Sequence, residues 1–448
     1  MQQQYELVEN ETLRKQIAEV EIDFHNSNTA NAWKTVNRIT GRKASAVGKL
    51  SGKSPEERKQ RWFEHFSKLL GTPNTSPTPD PVEPRFSNLN IPDTEFTLEE
   101  VQKAKSQIRE GKAPGEDGIM PETLKRLDID DILLKFSNKM LLENVAPEKL
   151  STLTIIPVPK KGDLRLTNNY RGIALTSLVS KLINRMILNR IRPIIDPLLR
   201  GNQAGFRPGK STTSQVLALR RVLEGVREKS LPAILVFVDF CKAFDSISHA
   251  SMFNILESYG IPPKLLGMIK LCYENLKAKV KSEDGETDYF KIHAGVMQGD
   301  TLAPFLFILV LDHAMTKAIN GRELELGLTL QKRQSSRNPG KAICDLDFAD
   351  DIVLLADDIE RAKELLKAVQ LECRKLGLEL NDKKTEAMYF NNQITPISTV
   401  DGTQIKQAKT ECGDQDCKYL GCWSCQDREI QTRKALAWQS LNKMSKVW

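Results

Sequence analysis

Hydrophobic positions change period several times along the chain, and each change predicts an element. Ala32, Trp33, Val36 and Ile39 recur at helical spacing, as do Trp62, Phe63, Phe66, Leu69 and Leu70, so residues 1–70 read as a helical extension. Residues 71–93 hold six prolines (73, 77, 79, 81, 84, 92) among Thr, Ser and Asn, a linker composition that sustains neither helix nor sheet. The helical pattern resumes after Thr97, whose hydroxyl, with Glu100 three residues on, predicts a capping box. Thr152–Val158 is a short β-branched run, and Leu175–Leu199 is a helical repeat ending near Pro193 and Pro197. Ala233–Val238 (AILVFV) is an unbroken apolar run of strand length, which predicts burial on both faces. Thr301–Ile319 predicts a long apolar helix, and Ile343–Leu355 two short strands about a turn. Strands separated by helices and long returns predict an α+β fold around an antiparallel sheet.

Composition adds a partner class. The 448 residues are 40% apolar and 27% charged, an ordinary balance for a chain of two or three domains. The net charge of +7 is unevenly placed: Val158–Ser230 holds 15 Lys/Arg against 4 Asp/Glu. Such a block fits a polyanionic partner such as nucleic acid, and charge alone suits a solvated basic face equally well. No apolar run approaches the roughly 20 residues that span a bilayer; Ala303–Leu311 is cut by Pro304. The N-terminal MQQQYELVEN lacks a secretory pattern, and eight scattered cysteines suit a reducing compartment, which predicts an intracellular protein. Cys412, Cys417, Cys422 and Cys425 lie among Tyr419, Leu420 and Trp423, a spacing that favours packing over a zinc site.

The carboxylates carry the chemistry. Asp239 ends the buried run AILVFVDF, where an unpartnered charge is costly. Asp350 and Asp351 sit between two apolar strand fragments in DFADDIVLL, the pattern of a hairpin tip. Carboxylates brought within ~4 Å repel by about 4 kcal/mol per pair at an effective dielectric near 20, and divalent cations or protonation relieve that repulsion. Paired Mg²⁺ held this way serves phosphoryl transfer. Either element alone reads equally well as a solvated Asp turn.

Together, FVDFCKAFDSI and FADD resemble the first and third palm motifs of reverse transcriptases. GVMQGDTLAP, GLELNDKKTEAM and IIPVPKKGDLRLTNNYRGIAL resemble further palm and finger motifs in the right order. KAPGEDGIMPETLK and NQAGFRPGKSTTSQ resemble hallmarks of non-LTR, LINE-type retrotransposon enzymes, and KYLGCW resembles the turn at the thumb boundary. The resemblance covers roughly residues 97–448; ERKQRWFEHFSKLL is similar to the segment preceding the polymerase in RTE-like elements.

The resemblance implies a right-hand polymerase: fingers over 94–232, an antiparallel-sheet palm over 233–410 and a partial, truncated thumb over 411–448. It implies an RNA template, a DNA primer, deoxynucleotides and two Mg²⁺ ions, with Mn²⁺ as the alternative. Asp239 and Asp350 become metal ligands, Asp351 a third or supporting one, and the Phe240 carbonyl a further candidate. Phe244 would lie under the sugar and exclude a 2′-hydroxyl, which disfavours an RNA-directed RNA polymerase. Lys161, or Lys160 in its place, and Arg171 would grip the triphosphate, with Gln298 and Gly299 against nucleotide and template. Lys384 is the candidate general acid for pyrophosphate. Arg207 and Lys210 would meet backbone phosphate, and Asp245 would orient its own turn. Phe348 replaces a frequent tyrosine, Gly172 a frequent proline, and Asp300 adds a charge near Gln298; none removes a catalytic group. A retrotransposon enzyme would work in the nucleus. Target nicking would need an endonuclease from another domain or chain. The non-enzymatic rival is a domesticated remnant that only binds RNA.

Overall fold

The computed structural model describes residues 2–25, 35–36, 50–72, 83–86, 89–160, 162–411 and 414–444. Helices Gln2–His25 and Pro55–Leu70 lie in the N-terminal region, where Val36 is also described and buried; Ala32, Trp33 and Ile39 lie outside the described residues, as does much of the proline-rich stretch.

One five-stranded sheet contains β1 (Thr152–Pro159), β2 (Tyr170–Leu175), β4 (Lys277–Ser282), β5 (Gly285–Glu286) and β6 (Phe290–Lys291). Helix Pro55–Leu70 starts at Ser54, whose side chain accepts from the Glu57 amide, and packs its apolar stripe on this sheet. Trp62 meets Tyr170 edge-on at 4.8 Å between ring centroids.

The second sheet has the order β12-β11-β3-β10-β9, with β3 (Ala233–Val238) at its centre. β9 (Asp345–Phe348) and β10 (Asp351–Ala356) form the predicted hairpin. β11 (Glu386–Phe390) is antiparallel to β3, and β12 (Lys406–Gln407) runs parallel to β11. A strand alternates its side chains between faces, and both faces of β3 are covered. Ile234, Val236 and Val238 join the large core around helix Ala303–Ile319. Ala233, Leu235 and Phe237 join a second core with Leu219 and Leu223 of helix Thr212–Glu228. That division explains an apolar run without polar interruptions. Each buried aliphatic side chain contributes roughly 2 kcal/mol of gross stabilisation. β7 (Leu328–Gln331) and β8 (Lys341–Ile343) form a separate ribbon.

The Thr97–Glu100 capping box is present. Glu100 also takes a two-pronged bond from buried Arg190, at 2.6 and 2.7 Å, which ties this helix to Leu178–Ile195. That second helix carries Pro193 inside its last turn and is followed by a tight turn over Asp196–Leu198, so the predicted end near the prolines holds. Among the described residues no helix is long and apolar enough to cross a membrane.

Candidate active site

Pairing of β3 with β10 fixes the acidic residues. Val238 faces Ile352 across the ladder, so one step further along each strand stand Asp239 and Asp351. Asp350 occupies the hairpin turn after Ala349, which adopts a left-handed φ of 54°. A non-glycine residue held there costs on the order of 1 kcal/mol, so the surrounding structure must enforce the turn.

The turn opens on a cleft of about 830 Å³. Asp239, Phe240, Asp350, Lys160, Arg171 and Lys384 line it. Phe244, Gln298 and Gly299 complete the part of the predicted set that the cleft brings together. Asp351 is exposed and does not line it. Lys161 lies outside the described residues; Lys160 lines the cleft near Arg171.

The electrostatics match crowded acids. Burial, with the Asp239 charge adding to it, holds the Asp350 carboxyl above the usual carboxylate range. Asp351 is pushed up to about 6, first by partial desolvation despite its exposed edge, then by Asp350 and Asp239. Asp239 has partners: Asn381 Nδ2 donates to its Oδ2 at 2.9 Å, and Lys384 Nζ lies 3.4 Å from the same oxygen. The lysine expected at the leaving group therefore neutralises Asp239 here. Phe240 sits between two ladder bonds, Asn381 N–H to the Asp239 carbonyl and Cys241 N–H to that of Glu379, which leave its own carbonyl out of the ladder.

Among the described residues no three His, Cys, Asp or Glu side chains gather closely enough to cage a metal ion. Mg²⁺ needs no such cage: it keeps several waters and takes one or two carboxylates together with substrate phosphates. Asp239 and Asp350, hard oxygen donors lining one cleft, fit that requirement.

Phe244, also on the cleft, stacks on buried Phe307 at 4.4 Å with 7° between the rings and meets Phe206 edge-on at 5.9 Å. Its ring is therefore fixed from two sides. Gln298 donates to Asp245 Oδ1 at 3.1 Å, and its carbonyl accepts from the Ala174 amide at 2.7 Å. Burial pushes Asp245 up to about 6 against the pull of Lys242, Lys160 and Arg171. Gly299, at φ 116°, has no room for a side chain, because a Cβ would stand 2.6 Å from the Ala174 carbonyl oxygen.

Two expected phosphate contacts do not reach the cleft. The guanidinium of Arg207 is buried, binds Asp196 at 3.1 Å and donates to the carbonyls of Arg200, Gln203 and Asp196. Its partners are internal, so it holds a loop. Lys210 is exposed and donates to the Gly201 carbonyl at 3.3 Å. Sequence reasoning passed over Asn381 and left Asp245 with a local role; the run GLELND held Asn381 in plain view, without any sign that its amide meets Asp239.

An acidic strand end beside an acidic hairpin, sharing an open cleft with basic side chains, defines a class of site that handles phosphate chemistry on a polyanionic substrate. The match to known proteins makes it particular. The chain belongs to the reverse transcriptase (RNA-dependent DNA polymerase) family, whose model matches residues 158–424. It is 27% identical to a probable RNA-directed DNA polymerase from transposon BS of Drosophila melanogaster, over 80% of this chain and 39% of that protein. It is 28% identical to the RNA-directed DNA polymerase from mobile element jockey of Drosophila funebris, over 74% of this chain and 35% of that one. A Pol polyprotein from the type-2 retrotransposable element R2DM of Drosophila melanogaster matches at 27% over 66% of the chain and 26% of its own length. These are non-LTR retrotransposon proteins, the kin that the ordered motifs resemble. The chain spans between a quarter and two-fifths of their lengths.

Proposed function

We propose that the chain is an RNA-directed DNA polymerase of a non-LTR retrotransposon, of the RTE-like kind, adding deoxynucleotides to a primer 3′-hydroxyl on an RNA template. The observation that carries it is the pairing of β3 with β10, which sets Asp239 beside the Asp350–Asp351 turn. Family membership supports the same reading. In this reading residues 94–232 are fingers, 233–410 palm and 411–448 the start of a thumb, with 1–70 a helical extension joined by the 71–93 linker.

Asp239 and Asp350 would hold Mg²⁺, or Mn²⁺, with Asp351 supporting. When bound, such paired ions activate the primer hydroxyl and neutralise the departing pyrophosphate. Lys161, or Lys160 in its place, and Arg171 would grip the triphosphate; Lys160 and Arg171 line the cleft. Phe244, fixed by Phe307 and Phe206, would lie against the sugar and exclude a 2′-hydroxyl. Lys384, paired with Asp239 here, would serve as the general acid for the leaving pyrophosphate. Lys210 meets backbone phosphate. The protein acts in the nucleus, and strand nicking comes from another domain or chain.

The test is synthesis of DNA on a primed RNA by the purified chain. Mg²⁺-dependent incorporation of deoxynucleotides is expected; RNA binding without extension would favour an inactive RNA-binding remnant.

A further inference from the structure

β9 is the edge strand of the catalytic sheet, yet its free side is not bare. The segment between helices Leu178–Ile195 and Thr212–Glu228 runs along it. The Asp347 amide donates to the Asn202 carbonyl at 3.2 Å, and the Ala204 amide donates to the Asp347 carbonyl at 2.9 Å. Gln215, from the following helix, donates through Nε2 to the Asn202 and Asp347 carbonyls, both at 2.7 Å. Arg200 pairs with buried Asp345 at 2.6 Å.

Gln203 sits at the end of this seam and is only 2% exposed. Its Oε1 accepts from the Ala349 amide at 2.8 Å and from the Gly205 amide at 2.7 Å, while Nε2 donates to the Ala349 carbonyl at 3.3 Å. Both polar groups of the one left-handed residue in the catalytic turn are therefore held by one side chain. The loop also presses close: a Cβ on Gly205 would lie 2.2 Å from the Ala349 nitrogen.

We propose that Gln203 is a positioning residue for nucleotidyl transfer, holding the kink at Ala349 that aims the Asp350 carboxylate into the cleft. The reaction served rests on the polymerase reading above; the clamp is independent of it. Glutamine suits the place because it offers a donor and an acceptor at one end of an unbranched chain. Gln203→Met keeps the length and leaves two buried amides and a carbonyl unpartnered. Gln203→Glu keeps the acceptor, and burial favours its protonated form, whose O–H replaces the amide donor.

The experiment compares the full-length wild type, both variants and Gly205→Ala, after circular dichroism has established each fold. Amide exchange in a peptide covering 345–352 should quicken about tenfold in Gln203→Met and stay slow in Gln203→Glu. Binding of Mn²⁺ alone, read from the resonance of the free ion, should weaken about tenfold in Gln203→Met. In primer extension kcat should fall by a similar factor, with KM for the deoxynucleotide within about twofold. If Gln203→Met does not fold, Gly205→Ala decides, since its Cβ must displace the turn while Gln203 remains. Wild-type exchange and Mn²⁺ affinity in the folded Met variant, or in Gly205→Ala where Met fails to fold, overturn the clamp. A wild type that extends no primer sinks the polymerase reading, and exchange and Mn²⁺ binding still judge the clamp.

Discussion

Asn381 Nδ2 donates a 2.9 Å hydrogen bond to Asp239 Oδ2, and the Asn381 amide donates at 2.8 Å to the Asp239 carbonyl. One residue thus fixes both the backbone and the carboxylate of the acid that ends β3. Asn381→Ala removes the side-chain bond and keeps the backbone one. A lost hydrogen bond to a charged group is worth roughly 1.5–3 kcal/mol, so kcat for primer extension should fall about 10- to 100-fold. Deoxynucleotide KM should change little. Steady-state kinetics that match wild type would remove Asn381 from the account.

Phe244 has no freedom to retreat, because Phe307 lies flat beneath it and Phe206 meets its edge. Phe244→Val opens space where a 2′-hydroxyl would sit. The preference for deoxynucleotides over ribonucleotides, measured as a ratio of kcat/KM values, should drop about 10- to 100-fold. An unchanged ratio would refute the sugar gate.

Arg207 and Lys210 separate by experiment. Arg207→Met breaks a buried ion pair and should cost about 3 kcal/mol of stability, read by denaturant unfolding. Lys210→Ala should leave stability intact and lower the salt dependence of RNA binding by about one charge. The reverse pattern would restore Arg207 as a phosphate contact.

What could be read from the sequence was what local pattern encodes. The six apolar residues of β3 already required cover on both faces, and the alternation between two cores supplies it. Asp239 and the hairpin pair stood out because carboxylates beside apolar strands need a partner. Asn381 on Asp239 and Gln203 on Ala349 were not legible, since they join positions 142 and 146 residues apart through neutral amides that carry no charge signal. The internal pairing of Arg207 was hidden for the converse reason: its charge is visible in the sequence, but its partner Asp196 across a helix end is not.

Acid should destabilise the fold through two histidines. Burial, aided by Lys242 and Lys160, holds His65 down to about 4; burial, aided by Lys317 and Arg85, does the same to His313. Both folded values lie below the unfolded value near 6.5, so the unfolded chain takes up these protons first. Their contribution is complete above about pH 6.5 and is lost as pH falls toward about 4. A His65→Gln, His313→Gln chain should show a shallower loss of unfolding free energy across that window. An identical slope would contradict the burial of these rings as uncharged groups.

In the proposed reaction Asp239 and Asp350 together would hold the metal that serves strand extension. Primer extension on RNA by the purified wild type, Asp239→Ala and Asp350→Ala chains, across a Mg²⁺ titration, tests it most directly. Each variant should lose at least about 100-fold in kcat at saturating Mg²⁺, as expected when a metal ligand stabilising transition-state charge is removed. Substantial residual synthesis by either variant would contradict the account.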